Sequence, residues 1–209
     1  KRVLCYVLFH GRHRVVIAST GRSGSTMLFD AVADGLIVSR FGVKPGTALA
    51  RIMRRMTMGF VERVNTLSSE SCFVCKTHDV LESPPNINCK YVFLYGDPLE
   101  SAMSVEKVVE KEGLEWFRLH QYHLRASGDY ADLYKKDVLN YENQLTSWFS
   151  ESRRDNVLCV DYDSLWESVD EISRFVGFSI TLPPRRPRLS KSLCGDIDGA
   201  LFERLRDLK

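Results

Sequence analysis

The chain has 209 residues, 44% of them apolar and 27% charged, an ordinary balance for a globular protein with a large core. Lys and Arg exceed Asp and Glu only by 29 to 27, which argues against a nucleic-acid or membrane-surface partner held by bulk charge. No apolar run reaches the roughly 18 residues of a membrane helix, and no linker, repeat or low-complexity tract interrupts the chain, so a single domain over 1–209 is expected.

Lys1 to Phe9 has a basic start and a short apolar stretch, but Arg12, His13 and Arg14 follow without a small-residue cleavage site. It reads as a strand or loop leading into the fold. A cytoplasmic location is expected, and removal of an earlier anchor or targeting segment stays open because the first residue is Lys1.

Val15 to Ser19 is the first strong strand. A helix from about Ser25 to Asp34 follows, with Leu28, Ala31 and Val32 on one face and Gly35 as its stop. Between Thr47 and Thr66, Leu49, Ile52, Met53 and Met56 recur at helical intervals beside Arg51, Arg54 and Arg55. Cys72 to Thr77 reads as a strand, Pro84-Pro85-Asn86 as a turn, and Lys90 to Tyr95 as a strand ended by Gly96-Asp97-Pro98. A helix begins near Leu99, carrying Ala102, Val105, Val108 and Val109.

Leu114 to about Phe149 is helical, broken around Ser127-Gly128-Asp129; its aromatics, among them Trp116, Tyr122, Tyr130 and Trp148, read as core and lid packing. Val157 to Val160 is a strand, Ser164 to Val176 a helix, and Leu182 to Arg188 a Pro- and Arg-rich loop. This alternation predicts an α/β fold, with a mainly parallel central sheet flanked by helices.

Six cysteines, Cys5, Cys72, Cys75, Cys89, Cys159 and Cys194, are scattered along the chain and read mostly as reduced core thiols. Cys72 and Cys75 form a C-x-x-C, but no second pair or His cluster at zinc spacing follows. A strand would place the two on opposite faces. No metal is expected.

Gly21-Arg22-Ser23-Gly24-Ser25-Thr26 lies between the first strand and its helix. Glycines let backbone wrap an anion, the helix N-terminus offers unpaired N–H groups, and Arg22 adds a permanent charge. An ordinary turn with a Ser cap is the bland alternative. The loop lacks the Gly-Lys-Ser/Thr ending and four-residue glycine spacing of a Walker A motif.

At these residues the chain resembles the sulfotransferases that use 3′-phosphoadenosine 5′-phosphosulfate (PAPS), in which a basic residue, a small residue, Gly and two hydroxyl residues follow the first strand. Arg22, Ser23, Gly24, Ser25 and Thr26 match that order, and the resemblance implies a P-loop-like sulfotransferase fold in which they hold the 5′-phosphosulfate. Lys76-Thr77-His78 matches a family tripeptide whose His is the base for the acceptor hydroxyl. Lys76 and His78, two apart on a strand, can share one side of a cleft at its carboxyl end. Asp79 is a lesser candidate base, or a group orienting His78.

Tyr91 to Ser104 resembles the family's 3′-phosphate segment. Ser104 is in place, but Gly96 stands where the pattern has Arg. Arg185, Arg186, Arg188 and Lys191 form a basic segment where the family's carboxyl-terminal loop covers the nucleotide, so they are candidates for the missing contact. Val157 to Leu165 resembles a late architectural strand. The resemblance implies metal-free transfer of a sulfuryl group from PAPS, with PAP (3′-phosphoadenosine 5′-phosphate) as product. The acceptor would be a hydroxyl of a carbohydrate or other small-molecule alcohol, or less readily an amine, between Ala48 to Val64 and Leu114 to Trp148.

Two alternatives stand beside this reading. One is a Mg²⁺-dependent nucleotide kinase or NTPase with a degenerate loop, needing Asp161 or Asp163 for the metal. The other is an inactive anion-binding module, favoured by Gly96. The sequence does not specify an oligomeric state.

Overall fold

A computed structural model of the chain describes residues 13–64, 67, 72–185, 197 and 199–209. Its centre is a sheet of five parallel strands: β1 (Arg14–Ser19), β2 (Met58–Phe60), β3 (Val74–Thr77), β4 (Cys89–Tyr95) and β5 (Val157–Asp161), in the order β2-β3-β1-β4-β5. β1 lies between β3 and β4, with Val16 opposite Cys75 on one side and Tyr91 on the other. Such a central strand must be apolar on both faces, and Val15 to Ala18 are 0–1% exposed.

Alternation along the strands sends two sets of side chains to two cores. Val15, Ile17, Val74, Val92 and Leu94 meet Leu28, Val32 and Leu36 of α1 (Ser25–Phe41) and Ile172 of α6 (Val169–Val176). Val16, Ala18, Cys75, Tyr91 and Phe93 face the other helices. These are α3 (Pro98–Glu112), α4 (Leu114–Leu124), α5 (Tyr141–Phe149) and α7 (Gly199–Arg206), which contribute Val105, Leu124, Trp148 and Phe202 among others. Trp148 stacks on Phe93 with centroids 5.3 Å apart. Among the described residues no helix is long and apolar enough to cross a membrane.

Several boundaries differ from those expected. α1 does not stop at Gly35 but runs to Phe41: a Cβ at Gly35 would collide with Ser179 O, so the glycine permits a close approach rather than ending the helix. The Arg- and Met-rich segment is helical only as α2 (Ala48–Thr57), after which Met58–Phe60 pairs with β3. The helix expected from Ser164 begins at Val169, and α7 was not anticipated.

Cys72 precedes β3, so it escapes strand alternation and shares one core with Cys75, whose thiol lies 3.8 Å from Cys72 O. Cys72, Cys75, Cys89 and Cys159 are free thiols. The expected lead-in over Lys1 to Phe9, Cys5, Cys194, Arg186, Arg188 and Lys191 lie outside the described residues.

Candidate active site

The carboxyl ends of β1, β3 and β4 meet at one edge of the sheet, where open α/β folds place ligands. β1 runs into Gly21, Arg22 and Gly24, whose φ angles are 74°, 52° and 79°. Positive φ at such positions is a backbone form in which neighbouring N–H groups can converge on an anion. Arg22, as a non-glycine, adopts it at a conformational cost of about 1–3 kcal/mol. α1 then starts with no side-chain cap and no acidic residue in its first turn, an N-terminus suited to an anion.

The side chains of the loop divide by role. Ser23 is fully buried and its hydroxyl donates to Leu94 O at 3.1 Å, which ties the loop to β4 and leaves that hydroxyl facing away from a ligand. Ser25 is buried, whereas Arg22 and Thr26 are exposed. Arg22 Nε donates to Ser104 Oγ at 3.0 Å, so the loop and α3 meet at two residues predicted to bind the same nucleotide. Beneath Gly24 lies Tyr162, whose ring would be 2.5 Å from any Cβ there.

Lys76, near the end of β3, donates from Nζ to Thr26 Oγ1 at 2.8 Å. Its pKa is lowered, first by burial and then by the nearby Arg22 charge, with Asp30 opposing. An anion between Lys76 and Arg22 would relieve that repulsion.

His78 follows β3 and is 8% exposed. Its Nδ1 lies 2.9 Å from Ser19 Oγ and 3.1 Å from Ser19 O. A carbonyl only accepts, so the bond to Ser19 O assigns the proton to Nδ1 and leaves the Nε2 lone pair free. Burial first, and Lys76 second, push the imidazole pKa down to about 3, although the bond to Ser19 raises it. The ring is neutral near pH 7.

α5 fixes the following segment: Gln144 Nε2 donates to His78 O at 3.1 Å, and Trp148 Nε1 to Asp79 O at 3.2 Å. Asp79 does not orient His78. Its carboxylate accepts from Val64 N at 2.8 Å and pairs with Arg125, as expected for a carboxylate only 2% exposed.

Two rings lie against His78, and a third packs on one of them. Phe60 and His120 each have centroids 6.1 Å from it, and His123 lies 4.9 Å from Phe60. His120 stacks on Trp116, 4.8 Å away and 17° from parallel. Neither His120 nor Phe60 was singled out in the sequence. A lone His within an aromatic helix carries no motif, and a three-residue strand gives little pattern.

At the end of β4, the Tyr141 hydroxyl accepts from Gly96 N at 3.2 Å and donates to Gly96 O. A cation reaches this strand end from α7: Arg206 pairs with Asp97, Nε to Oδ2 at 2.5 Å and Nη2 to Oδ1 at 3.3 Å. Of the basic segment after Leu182, Arg185 is described. It pairs with Asp163 at 3.1 Å and lies over the Trp166 ring, close in sequence to Tyr162 beneath Gly24. Among the described residues no cluster of three His, Cys, Asp or Glu side chains is placed to hold a metal ion.

The architecture is that of the sulfotransferase fold. A retinol dehydratase in complex with retinol and PAP matches with a TM-score of 0.51 at 18% identity, over 83% of this chain and 63% of that one. Mouse sulfotransferase SULT7A1 complexed with PAP gives 0.48 at 14% identity, over 100% and 68% of the two chains. A retinol dehydratase with androsterone and inactive cofactor PAP gives 0.46 at 16%, over 97% and 66%. The chain thus spans less than two thirds of either dehydratase chain. No protein-family model and no curated protein sequence matches it.

Proposed function

We propose that this chain transfers a sulfuryl group from PAPS to an acceptor hydroxyl by in-line displacement. The observation carrying this reading is the placement of His78. Its unprotonated Nε2 belongs to a residue two positions from Lys76, and Lys76 is bonded to Thr26 of the anion loop. This arrangement supports a reading in which a base for the acceptor and cations for the donor would share one edge of the sheet.

PAPS supplies the activated sulfuryl group; the chain's residues position and stabilise it. Backbone N–H groups of Gly21 to Thr26, with Thr26 Oγ1, Lys76 Nζ and Arg22, would hold the phosphosulfate and oppose the charge that grows on the leaving phosphate. His78 Nε2 would take the acceptor proton. Its low basicity rises when an anion offsets Lys76 and Arg22, since opposite charge favours the imidazolium. Ser104 would contact the 3′-phosphate, and Arg206, held on Asp97 beside Gly96, would be the cation nearest that strand end.

The acceptor is a small-molecule alcohol. Phe60 and His120 bring rings to His78, His123 packs on Phe60, and Phe60 is 43% exposed. Retinol in the dehydratase complex is a ligand of that kind.

A thermal-shift comparison of PAP, ATP and GTP, with and without Mg²⁺, tests the donor. PAP alone should raise the melting temperature. Stabilisation only by ATP or GTP with Mg²⁺ would instead identify a nucleotide kinase. Transfer from ³⁵S-labelled PAPS to a panel of small alcohols and sugars then tests the reaction. His78→Ala should lose at least about a hundredfold in turnover, the usual range for a general base, with PAP affinity retained. Full activity in that variant would move the base elsewhere.

A further inference from the structure

We propose that His120 is a second imidazole of the transfer site, donating from Nε2 to an oxygen of the sulfuryl group on the donor. The inference rests on PAPS being that donor.

Position comes first. A Cβ built on Gly21, the first residue of the anion loop, would lie 3.1 Å from His120 Cε1 and 3.2 Å from its Nε2. The imidazole edge therefore covers the loop at its entrance. The same ring is edge-on to His78 at 6.1 Å. His120 thus borders both the loop that would hold the phosphosulfate and the base that faces the acceptor, and the moving group passes between them.

Chemistry comes second. His120 is 8% exposed, and its ring is held against Trp116, His78 and Gly21. A mostly buried imidazole held by ring contacts keeps its nitrogens available to a polar atom of a ligand. Burial, His78 and Arg22 keep it neutral, and a neutral imidazole still has one N–H to donate. Stacking on Trp116 holds the ring plane, so the Nε2 edge stands beside Gly21 before a ligand arrives.

PAP and PAPS differ by the sulfuryl group alone, which gives a test that needs no acceptor. Affinities for both are measured by calorimetry on wild type, His120→Phe and His120→Gln. Phe keeps the ring against Trp116 without the donor, and Gln restores an N–H at similar reach. His120→Phe should weaken PAPS about tenfold, the effect of one lost hydrogen bond to an anion, and leave PAP within about twofold. His120→Gln should recover most of the loss.

Unchanged PAPS affinity in His120→Phe, or an equal loss for both ligands, would overturn the assignment. Wild type that binds neither ligand would instead overturn the donor reading. Should His120→Phe fail to fold, the ¹⁵N imidazole resonance of His120 in wild type decides: PAPS must shift it and PAP must not, and equal response to both rejects the proposal.

Discussion

Arg125 closes on Asp79 from the left-handed carboxyl end of α4: its Nε lies 2.5 Å from Oδ1, off the hydrogen-bonding axis, and its Nη2 donates to Oδ2 at 3.3 Å. The pair neutralises a carboxylate that is 2% exposed. It also fastens α4, the helix of His120, to the residue after His78. Arg63 lies farther off, 3.9 Å from Oδ1.

Removing Arg125 should therefore do more harm than neutralising Asp79. Arg125→Ala leaves a buried charge without its closest partner, a change that costs about 3 kcal/mol. For a chain of this size that lowers the melting temperature by roughly 6–12 °C. Asp79→Asn keeps an acceptor for Val64 N, and Arg125 can still reach Glu82, so about 1 kcal/mol is expected. Urea unfolding gives the order of the two variants. Asp79→Asn proving the worse would show that the carboxylate, not its neutralisation, holds the segment.

The buried histidines predict a loss of stability on the acid side. Burial, then Lys76, lowers His78 to about 3; burial, then His78 itself, lowers His120 to about 3. Unfolded histidine titrates near 6.5, so between those values the unfolded chain binds more protons and stability falls as pH falls. At about pH 5 each histidine contributes a loss of about 2 kcal/mol. Arg22 and His123 also disfavour both imidazoliums, while the Ser19 bond partly supports that of His78. His78→Gln should remove about 2 kcal/mol of the difference between urea unfolding at about pH 7 and about pH 5. An unaltered difference would mean that His78 binds its proton equally well in the native and unfolded chains.

What the sequence disclosed was contiguous. β1 and its loop lie in one stretch, with apolar residues followed by glycines and a basic residue, and Lys76 and His78 are two residues apart on one strand. Contacts made only by folding were hidden. His120 reaches Gly21 across 99 positions of chain, and Arg125 reaches Asp79 across 46. β2 is three residues long and joins the sheet beside β3, at the end of a helical pattern of Met and Arg that masks it. The adjacency of Asp79 and His78 misled for a physical reason. After the strand their side chains part, one toward Ser19 and the other toward Val64 and Arg125.

Gly35 sets two effects of known size against each other. Alanine gains about 1 kcal/mol over glycine inside a helix. Here its methyl would meet Ser179 O, with Ile180 Cγ2 at 3.2 Å and Phe178 Cδ2 at 3.3 Å, and overpacking of this kind costs typically 1–3 kcal/mol. A backbone oxygen cannot swing aside as a flexible side chain can, so packing should win. Gly35→Ala is expected to destabilise by about 1 kcal/mol, and a stabilised variant would show that the 178–180 segment yields easily.

Gly24 couples the anion loop to the segment after β5. Its φ of 79° costs an L-residue about 1–2 kcal/mol, and a Cβ there would also displace the Tyr162 ring. Gly24→Ala should therefore lower stability and weaken PAP at least about tenfold, because the same backbone angle aims the loop's N–H groups. Tyr162→Ala removes the collision but not the conformational penalty. In a double-mutant cycle it should recover part of the stability lost in Gly24→Ala while leaving PAP affinity low. Recovery of PAP affinity in the double variant would place the defect in Tyr162 rather than in the loop's own backbone.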